Sequence, residues 1–258
     1  MARSPSGESV LSRAVRIFGA FDPENPALTL TEISRRACLP LATTGRMVDE
    51  LVRHGLLQRD ARRYVRIGVR MWELAQRASP TLDLREAAMP FMEDAQAVVG
   101  HSTQLGVLDG EEVLFVERLS APGAVVNITK IAGRLPLHAS SAGLVLLAHA
   151  PAELQDRILT RPLPAMTPDT ITDPAMLRAT LAEVRQRGCA FCPGHIHPDA
   201  TGIAVPVRGA GDRVVAALGF VVPNDEQAWW RTGLLQATAR GIGRRLGAGA
   251  ATVTRPSP

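Results

Sequence analysis

Hydrophobic residues recur at helical spacing through the first third of the chain. The first such run predicts an amphipathic helix that begins at Ser9 and ends before the breaker segment Asp22–Pro26. Its apolar residues are Val10, Leu11, Ala14, Ile17, Phe18 and Phe21. A second, shorter helix is predicted over Leu30–Ala37, because Thr29 and Glu32 have the spacing of a capping box.

A third helix follows a turn at Cys38–Pro40 and is predicted to run to about His54, with Pro40 in its first turn. Two helices joined by such a short turn form a helix-turn-helix, which places the second helix in the major groove of DNA. The inner face of that helix is assigned to Thr44, Val48 and Leu51. Its first turns carry small and hydrogen-bonding residues, so DNA contacts are predicted for Ala42, Thr43, Thr44 and Arg46.

A basic hairpin is predicted directly after the helix-turn-helix. Strands at Leu56–Arg59 and Tyr64–Ile67 are joined by a turn at Asp60–Arg63, which gives a two-stranded wing. Each of its arginines alone would be read as an ordinary surface charge. Together they favour contact with phosphates or the minor groove, and the predicted contacts are Arg59, Arg62, Arg63 and Arg66.

The basic charge of the chain is concentrated in the same region. Residues 1–80 contain 13 arginines against 8 acidic residues, a net charge of +5. Residues 81–258 contain 16 basic and 17 acidic residues, a net charge of −1. A small basic domain joined to a larger neutral one is typical of a polyanion-binding head on a sensing or assembling body.

The last two thirds of the chain alternate between strand and helix patterns. Strands are predicted at Ser102–Leu108, Glu111–Arg118, Val125–Ile131, Cys189–Phe191, Gly202–Val207 and Val214–Val221. Helices are predicted at Leu84–Val99, Ser140–His149, Ala152–Leu159, Pro174–Arg187 and Gln227–Leu246. Antiparallel strand pairs with helices on their faces indicate an α+β fold. Residues 1–8 and 251–258 are predicted to be disordered or flexible.

Several classes of function lack their sequence motifs in this chain. We find no nucleophile elbow, phosphate-binding loop, zinc-protease motif or dinucleotide fingerprint, so we predict no enzyme activity and no cofactor. No apolar run approaches the ~18 residues of a membrane span, and no secretory leader is evident. Three cysteines do not make a disulfide framework. The expected location is therefore the cytoplasm, without a membrane partner.

The chain resembles the IclR family of bacterial transcriptional regulators over about residues 9–247. The stretches that carry the resemblance, in this order, are SVLSRAVRIFGAF, LTLTEISRRACLP, TTGRMVDELVRHGLLQR, GVRMWELA, PLHASSAGLVLLAH and RQRGCAFCPGHIHPDATGIAVPVRGAGDRVVAALGFVVP. The resemblance implies a winged helix-turn-helix over residues 9–67, a linker helix within residues 68–82, and a GAF/PAS-like effector-binding and oligomerisation domain over residues 83–250. It also implies a homodimer or dimer of dimers that binds double-stranded DNA at a palindromic operator.

A site for a small-molecule effector is predicted where the helix Ser140–His149 begins. Free N–H groups at a helix N-terminus favour an anion, and small residues allow close approach; an N-capped core helix is the alternative. By the resemblance, this segment borders the effector pocket, whose lining residues would be Ser140, Ser141, Ala142, Asn127, Thr129, Cys192, Gly202, Gly219 and Val221. Most are small or apolar, which favours a carboxylate with an apolar or aromatic body.

A compact cluster of cysteine and histidine permits a second interpretation. Cys189, Cys192, His195 and His197 have the side chains of a soft-metal site or a thiol switch. The spacing is tight for four-ligand zinc, and the two cysteines tend to face opposite sides if a strand lies between them. A metal- or redox-sensing regulator is therefore the alternative to a ligand-responsive one.

Overall fold

The computed structural model describes residues 7–22, 24–77 and 80–253, in two compact units divided at Pro80. Most of the predicted flexible ends, residues 1–6 and 254–258, lie outside the described residues. Residues 251–253 were predicted to be part of a loose tail but continue the last helix. Within the described ranges, no helix has the length and apolar character that crossing a bilayer requires.

The first unit is a helix-turn-helix combined with a three-stranded antiparallel sheet. In chain order it consists of α1 Val10–Phe18, β1 Ala27–Leu28, α2 Leu30–Arg36, α3 Leu41–Arg53, β2 Leu57–Arg59, β3 Val65–Ile67 and α4 Val69–Arg77. The strand order is β1-β3-β2. The predicted two-stranded wing therefore has a third strand, β1, which is too short to show an alternating pattern.

Local signals at the helix ends of this unit act largely as predicted. The Glu32 backbone N–H donates to Thr29 Oγ1 at 3.3 Å, and the Glu32 carboxylate accepts from the Thr29 N–H at 2.8 Å, so the capping box is confirmed. Gly55 has φ +72°, the left-handed conformation that suits glycine after a helix end. Pro40 is the N-cap of α3, one position before the predicted one. Helix α1 ends at Phe18, earlier than predicted, because the poor helix former Gly19 follows.

The second unit is a six-stranded antiparallel sheet in the order β6-β5-β4-β9-β8-β7, with helices on both faces. The strands are β4 Ser102–Asp109, β5 Glu112–Ser120, β6 Arg134–Pro136, β7 Ala190–Pro193, β8 Ala200–Arg208 and β9 Val214–Pro223. The helices are α5 Pro80–Val99, α6 Ser141–Ala148, α7 Ala152–Leu159, α8 Pro174–Arg187 and α9 Thr232–Val253. Short 3-10 helices occupy Ala210–Asp212 and Ala228–Arg231.

The two faces of this sheet have separate apolar cores. Met92 of α5 and Leu235 of α9 belong to one core, together with Phe220 of the sheet. The other core contains residues of α6, α7 and α8, with Phe115 of the sheet. All eight residues of α6 are buried, and their apolar character on every side of the helix is what such a position requires.

Two predicted elements of the second unit are wrong. Val125–Ile131 is not a strand; it lies in an extended loop of residues 121–133, hereafter the cavity loop, and the edge strand is β6. Val126 and Ile128 are exposed and alternate with polar residues, so an unpaired extended segment gives the same pattern as a strand. The last helix begins with a 3-10 turn, and α9 itself starts at Thr232 rather than at Gln227.

The pairing of β4 with β5 contains one irregularity. Leu105 is paired with Glu117, whereas the next residue, Gly106, is paired with Phe115, so Val116 is an extra residue on β5. A bulge of this kind interrupts the alternation of side chains between the two faces of a sheet. Phe115 packs in the core beside α6. Glu117, two residues later, lies opposite Leu105, which belongs to the core on the other face.

Glu117 and Arg118, as neighbours in a strand, lie on opposite faces of β5, and the bulge determines which face each one has. The buried Glu117 carboxylate accepts a hydrogen bond from Nε of Arg85 on α5 at 2.5 Å. Arg118 is paired with Gln104 across β4, on the face that carries α6. Its guanidinium donates to the Thr129 carbonyl in the cavity loop. The bulge thus links one strand to α5 on one side and to the loop on the other.

Candidate functional site

The residues predicted to contact DNA on α3 share one exposed face, with a single exception. Ala42 and Arg46 are exposed and Thr43 is half-buried. Thr44 is fully buried, and its hydroxyl donates to the Pro40 carbonyl at 3.1 Å. Its predicted place on the DNA-facing side is therefore wrong, because the hydroxyl is used to hold the start of α3.

Two arginines of α3 differ in their surroundings. Arg53, in the last turn, donates to the Glu50 carboxylate at 2.8 Å. For Arg46, in the second turn, the described part of the chain offers neither an ion pair nor a hydrogen-bond partner for its guanidinium. Arg46 is thus a cation presented to solvent on the outer face of the second helix of the helix-turn-helix.

The turn of the wing is closed by a carboxylate and displays two arginines. Asp60 Oδ1 accepts hydrogen bonds from the backbone N–H groups of Arg62 and Tyr64, each at 2.9 Å. Arg63 has φ +67°, and its side chain and that of Arg62 are exposed. The conformation of the turn directs two basic residues to its tip.

The other two wing arginines are engaged by acids of the same unit. Arg59 lies 3.0 Å from the Asp49 carboxylate of α3, and Arg66 lies 3.9 Å from Asp60. The structure therefore separates the four predicted DNA contacts on the wing into two without an acidic partner among the described residues, Arg62 and Arg63, and two that lie beside carboxylates.

Helices α1 and α4 each expose large apolar side chains. On α1 these are Val10, Leu11 and Val15, and on α4 they are Val69, Trp72 and Leu74. Trp72 is 63% exposed. Exposed apolar groups at this density are typical of surfaces that bind a partner.

A cavity on the α6 face of the second sheet brings together most of the predicted effector residues. Its walls are Gln104, Val126, Asn127, Ile128, Thr129, Leu135, Ser140, Ser141, Cys192, His195, Ile196, His197, Ala200, Gly202 and Val221. The space open to the centre of a water molecule is about 40 Å³. A volume of that size holds water but no larger molecule unless a wall moves.

Two predicted lining residues, Ala142 and Gly219, are not part of these walls. Ala142 packs in the core around α6. Gly219 is paired with Gln104, and a Cβ at that position would meet the Ile203 carbonyl oxygen at 3.0 Å and Gln104 Cγ at 3.5 Å. Gly219 therefore serves the cavity indirectly, because it leaves room for the Gln104 side chain.

The start of α6 offers one hydroxyl to the cavity rather than two. Ser140 is the N-cap: its Oγ accepts from the Gly143 N–H at 3.1 Å and lies 3.3 Å from the Pro136 carbonyl. For Ser140 the capping role that the sequence left as an alternative is thus the one observed. The Ser141 hydroxyl has no hydrogen-bond partner among the residues that the structure describes. A Cβ at Gly202 would lie 2.9 Å from Ser141 Oγ, so glycine there keeps that hydroxyl accessible.

Gln104, which was not predicted from the sequence, connects the cavity loop to the sheet. Its Oε1 accepts from Thr129 Oγ1 at 2.7 Å and from Asn127 Nδ2 at 3.4 Å. The Thr129 N–H in turn donates to Asn127 Oδ1 at 3.0 Å. The polar run Ser102–Gln104, at the start of a strand whose next residues are mostly apolar, was the signal that could have found it.

His195 lies in the turn between β7 and β8. Hydrogen bonds hold its backbone, but its ring has no hydrogen-bond partner within the described residues. Its carbonyl accepts hydrogen bonds from the hydroxyls of Thr167 and Thr170, the latter at 2.6 Å. Nδ1 is buried without a partner, and neither ring nitrogen bonds to any residue in the described ranges. Burial lowers the pKa of His195, while the nearby Asp169 carboxylate acts in the opposite direction.

The structure does not gather the four residues of the metal or thiol-switch alternative. Cys189 belongs to the core beneath α5 and α9, and Cys192 to the core beneath α6. Burial raises the pKa of both thiols, that of Cys192 to about 12, so neither is a reactive thiolate. No group of three or more metal-binding side chains with suitable geometry occurs in the described residues. Cys192, His195 and His197 line the cavity, whereas Cys189 is not among its walls.

Two family models match the chain and together cover both units. The model of the bacterial transcriptional regulator IclR C-terminal domain matches residues 76–244. The model of the IclR helix-turn-helix domain matches residues 10–61. The predicted fold class, a winged helix-turn-helix followed by a linker helix and a GAF/PAS-like α+β domain, is confirmed.

Solved structures and curated proteins of the same kind are similar over nearly the whole chain. An IclR homolog from Microbacterium hydrocarbonoxydans, solved in complex with 4-hydroxybenzoate, is 47% identical with a TM-score of 0.89, over 92% of this chain and 99% of that chain. An IclR homolog from Microbacterium sp. strain HM58-2 is 46% identical with a TM-score of 0.62, over 93% and 98%. The HTH-type transcriptional regulator XynR from Escherichia coli (strain K12) is 29% identical over 244 residues, 92% of this chain and 96% of XynR. The chain belongs to the IclR family of bacterial transcriptional regulators.

Proposed function

We propose that this protein is a ligand-responsive regulator whose effector is an aromatic carboxylate with a ring hydroxyl. The observation that carries the proposal is the cavity, because seven of the nine residues predicted for an effector site line it. A homolog 47% identical to this chain was solved with 4-hydroxybenzoate, which is an acid of this class.

The walls of the cavity support that class of ligand. Leu135, Ile196 and Val221 are apolar and suit the faces of an aromatic ring. The Ser141 hydroxyl and the Gln104 side-chain amide are hydrogen-bond donors, and they suit a carboxylate near the N-terminus of α6. A ring larger than the present free volume requires movement of the cavity loop or of the turn that holds His195, since these walls lie outside regular secondary structure.

We propose that DNA binding resides in α3 and the wing, and that the protein acts in the cytoplasm without catalytic activity. The exposed side of α3 with Arg46 would read base edges, and Arg62 and Arg63 would contact phosphates or the minor groove. The exposed apolar side chains of α1 and α4 support a homodimer, which would bind a palindromic operator in double-stranded DNA. A dimer of dimers is a further assembly consistent with the family.

Regulation then requires the effector to bind more tightly to one arrangement of the dimer than to the other. The coupling free energy in such systems is typically about 1–3 kcal/mol, which corresponds to roughly a 5–150-fold change in operator affinity. The same factor must appear in the effector affinity when DNA is bound, because coupling is reciprocal.

The test is binding of the full chain to DNA with and without 4-hydroxybenzoate. Fragments selected from a genomic library at low ionic strength supply the operator, and fluorescence anisotropy gives its Kd. We expect the acid to change that Kd at least fivefold, and Arg46→Ala to lower the preference for the selected sequence. Arg53→Ala is the matched control, because Arg53 is on the same helix but paired with Glu50.

Three outcomes would each contradict a part of this proposal. Failure of the unaltered chain to bind any genomic fragment at low salt would remove the DNA-binding function from this protein. Normal DNA binding that no hydroxylated aromatic acid changes would remove only the effector class. Equal losses of sequence preference in Arg46→Ala and Arg53→Ala would show that α3 does not read bases through its second turn.

A further inference from the structure

We infer that His195 recognises the ring hydroxyl of the effector and so separates hydroxylated aromatic acids from the unsubstituted acids. This inference rests on the effector class proposed above. It assigns one residue of the cavity to one functional group of the ligand.

The His195 ring, like the Ser141 hydroxyl, is a polar group of the wall that has no hydrogen-bond partner within the described residues. The Ser140 hydroxyl caps α6, and the polar side chains of Asn127 and Thr129 are bound to one another and to Gln104. The His195 ring has no such partner within the described residues, and its Nδ1 is buried. A buried polar atom without a partner is costly, so a ligand group that bonds to this ring regains that cost on binding.

The neighbouring histidine of the same turn has different surroundings. His197 also lines the cavity, but its Nδ1 accepts from the Asp199 N–H at 3.3 Å and lies 4.0 Å from the Asp199 carboxylate. Within the described residues, the His195 ring has no such hydrogen bond.

The wall around His195 suits a neutral hydroxyl better than a negatively charged carboxylate. Burial lowers the pKa of His195, so its ring is neutral near pH 7 and has one N–H donor and one nitrogen acceptor. A hydroxyl matches that pair because it also donates and accepts. A ligand carboxylate is less suitable there, since the Asp169 carboxylate already lies near the ring and would repel it. The donors Ser141 and Gln104 are therefore the better place for the acidic end.

The position of the ring is set by the backbone that carries it. The hydroxyls of Thr167 and Thr170 hold the His195 carbonyl, and Gly194 turns the chain at φ +72°. A Cβ at Gly194 would lie 2.5 Å from the Asp169 carboxylate, so this approach to the turn depends on glycine. A recognition group held in this way loses little freedom when a ligand binds, which increases its contribution to selectivity.

The experiment compares benzoate with 4-hydroxybenzoate by isothermal titration of the full chain. We expect the unaltered protein to bind 4-hydroxybenzoate at least about tenfold more tightly, the effect of one buried hydrogen bond. In His195→Phe the ratio should fall to about 1, because 4-hydroxybenzoate weakens while benzoate does not. His195→Gln, which retains a donor and an acceptor, should keep part of the ratio. His54→Phe, at an exposed histidine after α3 that is not among the cavity walls, should keep all of it.

The outcomes separate this inference from the function it rests on. Equal weakening of both acids in His195→Phe, at an unchanged melting temperature, would overturn the inference, because the ring would then only shape the cavity. Equal affinity of the unaltered protein for both acids would also overturn it and leave the aromatic-acid class intact. Binding of neither acid by the unaltered protein would overturn the effector class and, with it, the role of His195.

Discussion

Substitution of Gly143 by alanine should destabilise the second unit, even though alanine is the better helix former. Gly143 lies in the first turns of α6, where a Cβ would meet Leu137 Cα at 2.6 Å and Ser140 Oγ at 2.7 Å. Backbone cannot move aside as the end of a flexible side chain does. Helix α6 would therefore shift, and the N-cap bond from the Gly143 N–H to Ser140 would weaken.

The size of the effect follows from three contributions. Overpacking costs about 1–3 kcal/mol, and loss of an N-cap costs about 1 kcal/mol. Replacing glycine in a helix stabilises by about 1 kcal/mol, which offsets part of the loss. The expected net decrease in the free energy of unfolding is about 2 kcal/mol. For a unit of this size that corresponds to a melting temperature lower by about 4–8 °C.

Thermal unfolding of the full chain measures this effect, with Gly233→Ala as the matched control. Gly233 lies in α9, and a Cβ there would meet nothing within 4 Å. The control should therefore gain up to about 1 kcal/mol from helix propensity alone. The affinity for 4-hydroxybenzoate should also fall in Gly143→Ala, because Ser141 moves with α6. If both variants were equally stabilised, the close approach of α6 to Leu137 would have no energetic significance.

Two further predictions concern the wing and the thiols. Replacing the exposed residues Arg62 and Arg63 by alanine should weaken DNA binding for all sequences alike. The slope of log K against log salt should become less steep by about 2, since each phosphate contact contributes about 0.9. An unchanged slope would exclude phosphate contacts at the wing tip. Iodoacetamide at pH 8 should alkylate the exposed Cys38 and spare the buried Cys192, whose pKa of about 12 leaves almost no thiolate; mass spectrometry showing modified Cys192 in the folded chain would contradict that burial.

Features governed by local chemistry were predictable from the sequence. The capping box of Thr29 and Glu32 and the bounds of the helix Pro174–Arg187 are observed as predicted; in the structure that helix has Asp173 as its N-cap and Gly188 after its end. Each depends on residues within one or two helical turns. The predicted antiparallel pairing of strands is also observed, as between the neighbouring strands β8 and β9.

Features governed by distant partners were not predictable in this way. The cavity loop has the alternation of a strand, and only the absence of a partner beside Val126 and Ile128 distinguishes it. Thr44 suits DNA by its chemistry, but the packing of α3 buries it. His195 was a candidate metal ligand in the sequence, although the strand expected between Cys189 and Cys192 already argued against that site. Its place in the cavity wall depends on Thr167 and Thr170, which are distant along the chain.

The bulge at Val116 determines the sign of the charge presented beneath the cavity loop. If β5 continued past Phe115 in regular alternation with Val116 retained, Glu117 would turn toward the carbonyl of Thr129 and Arg118 toward the guanidinium of Arg85. Two attractive contacts would become two repulsive ones, without any change to a residue that lines the cavity. The register of this strand, as well as the identity of its residues, is therefore part of how the protein holds its ligand site together.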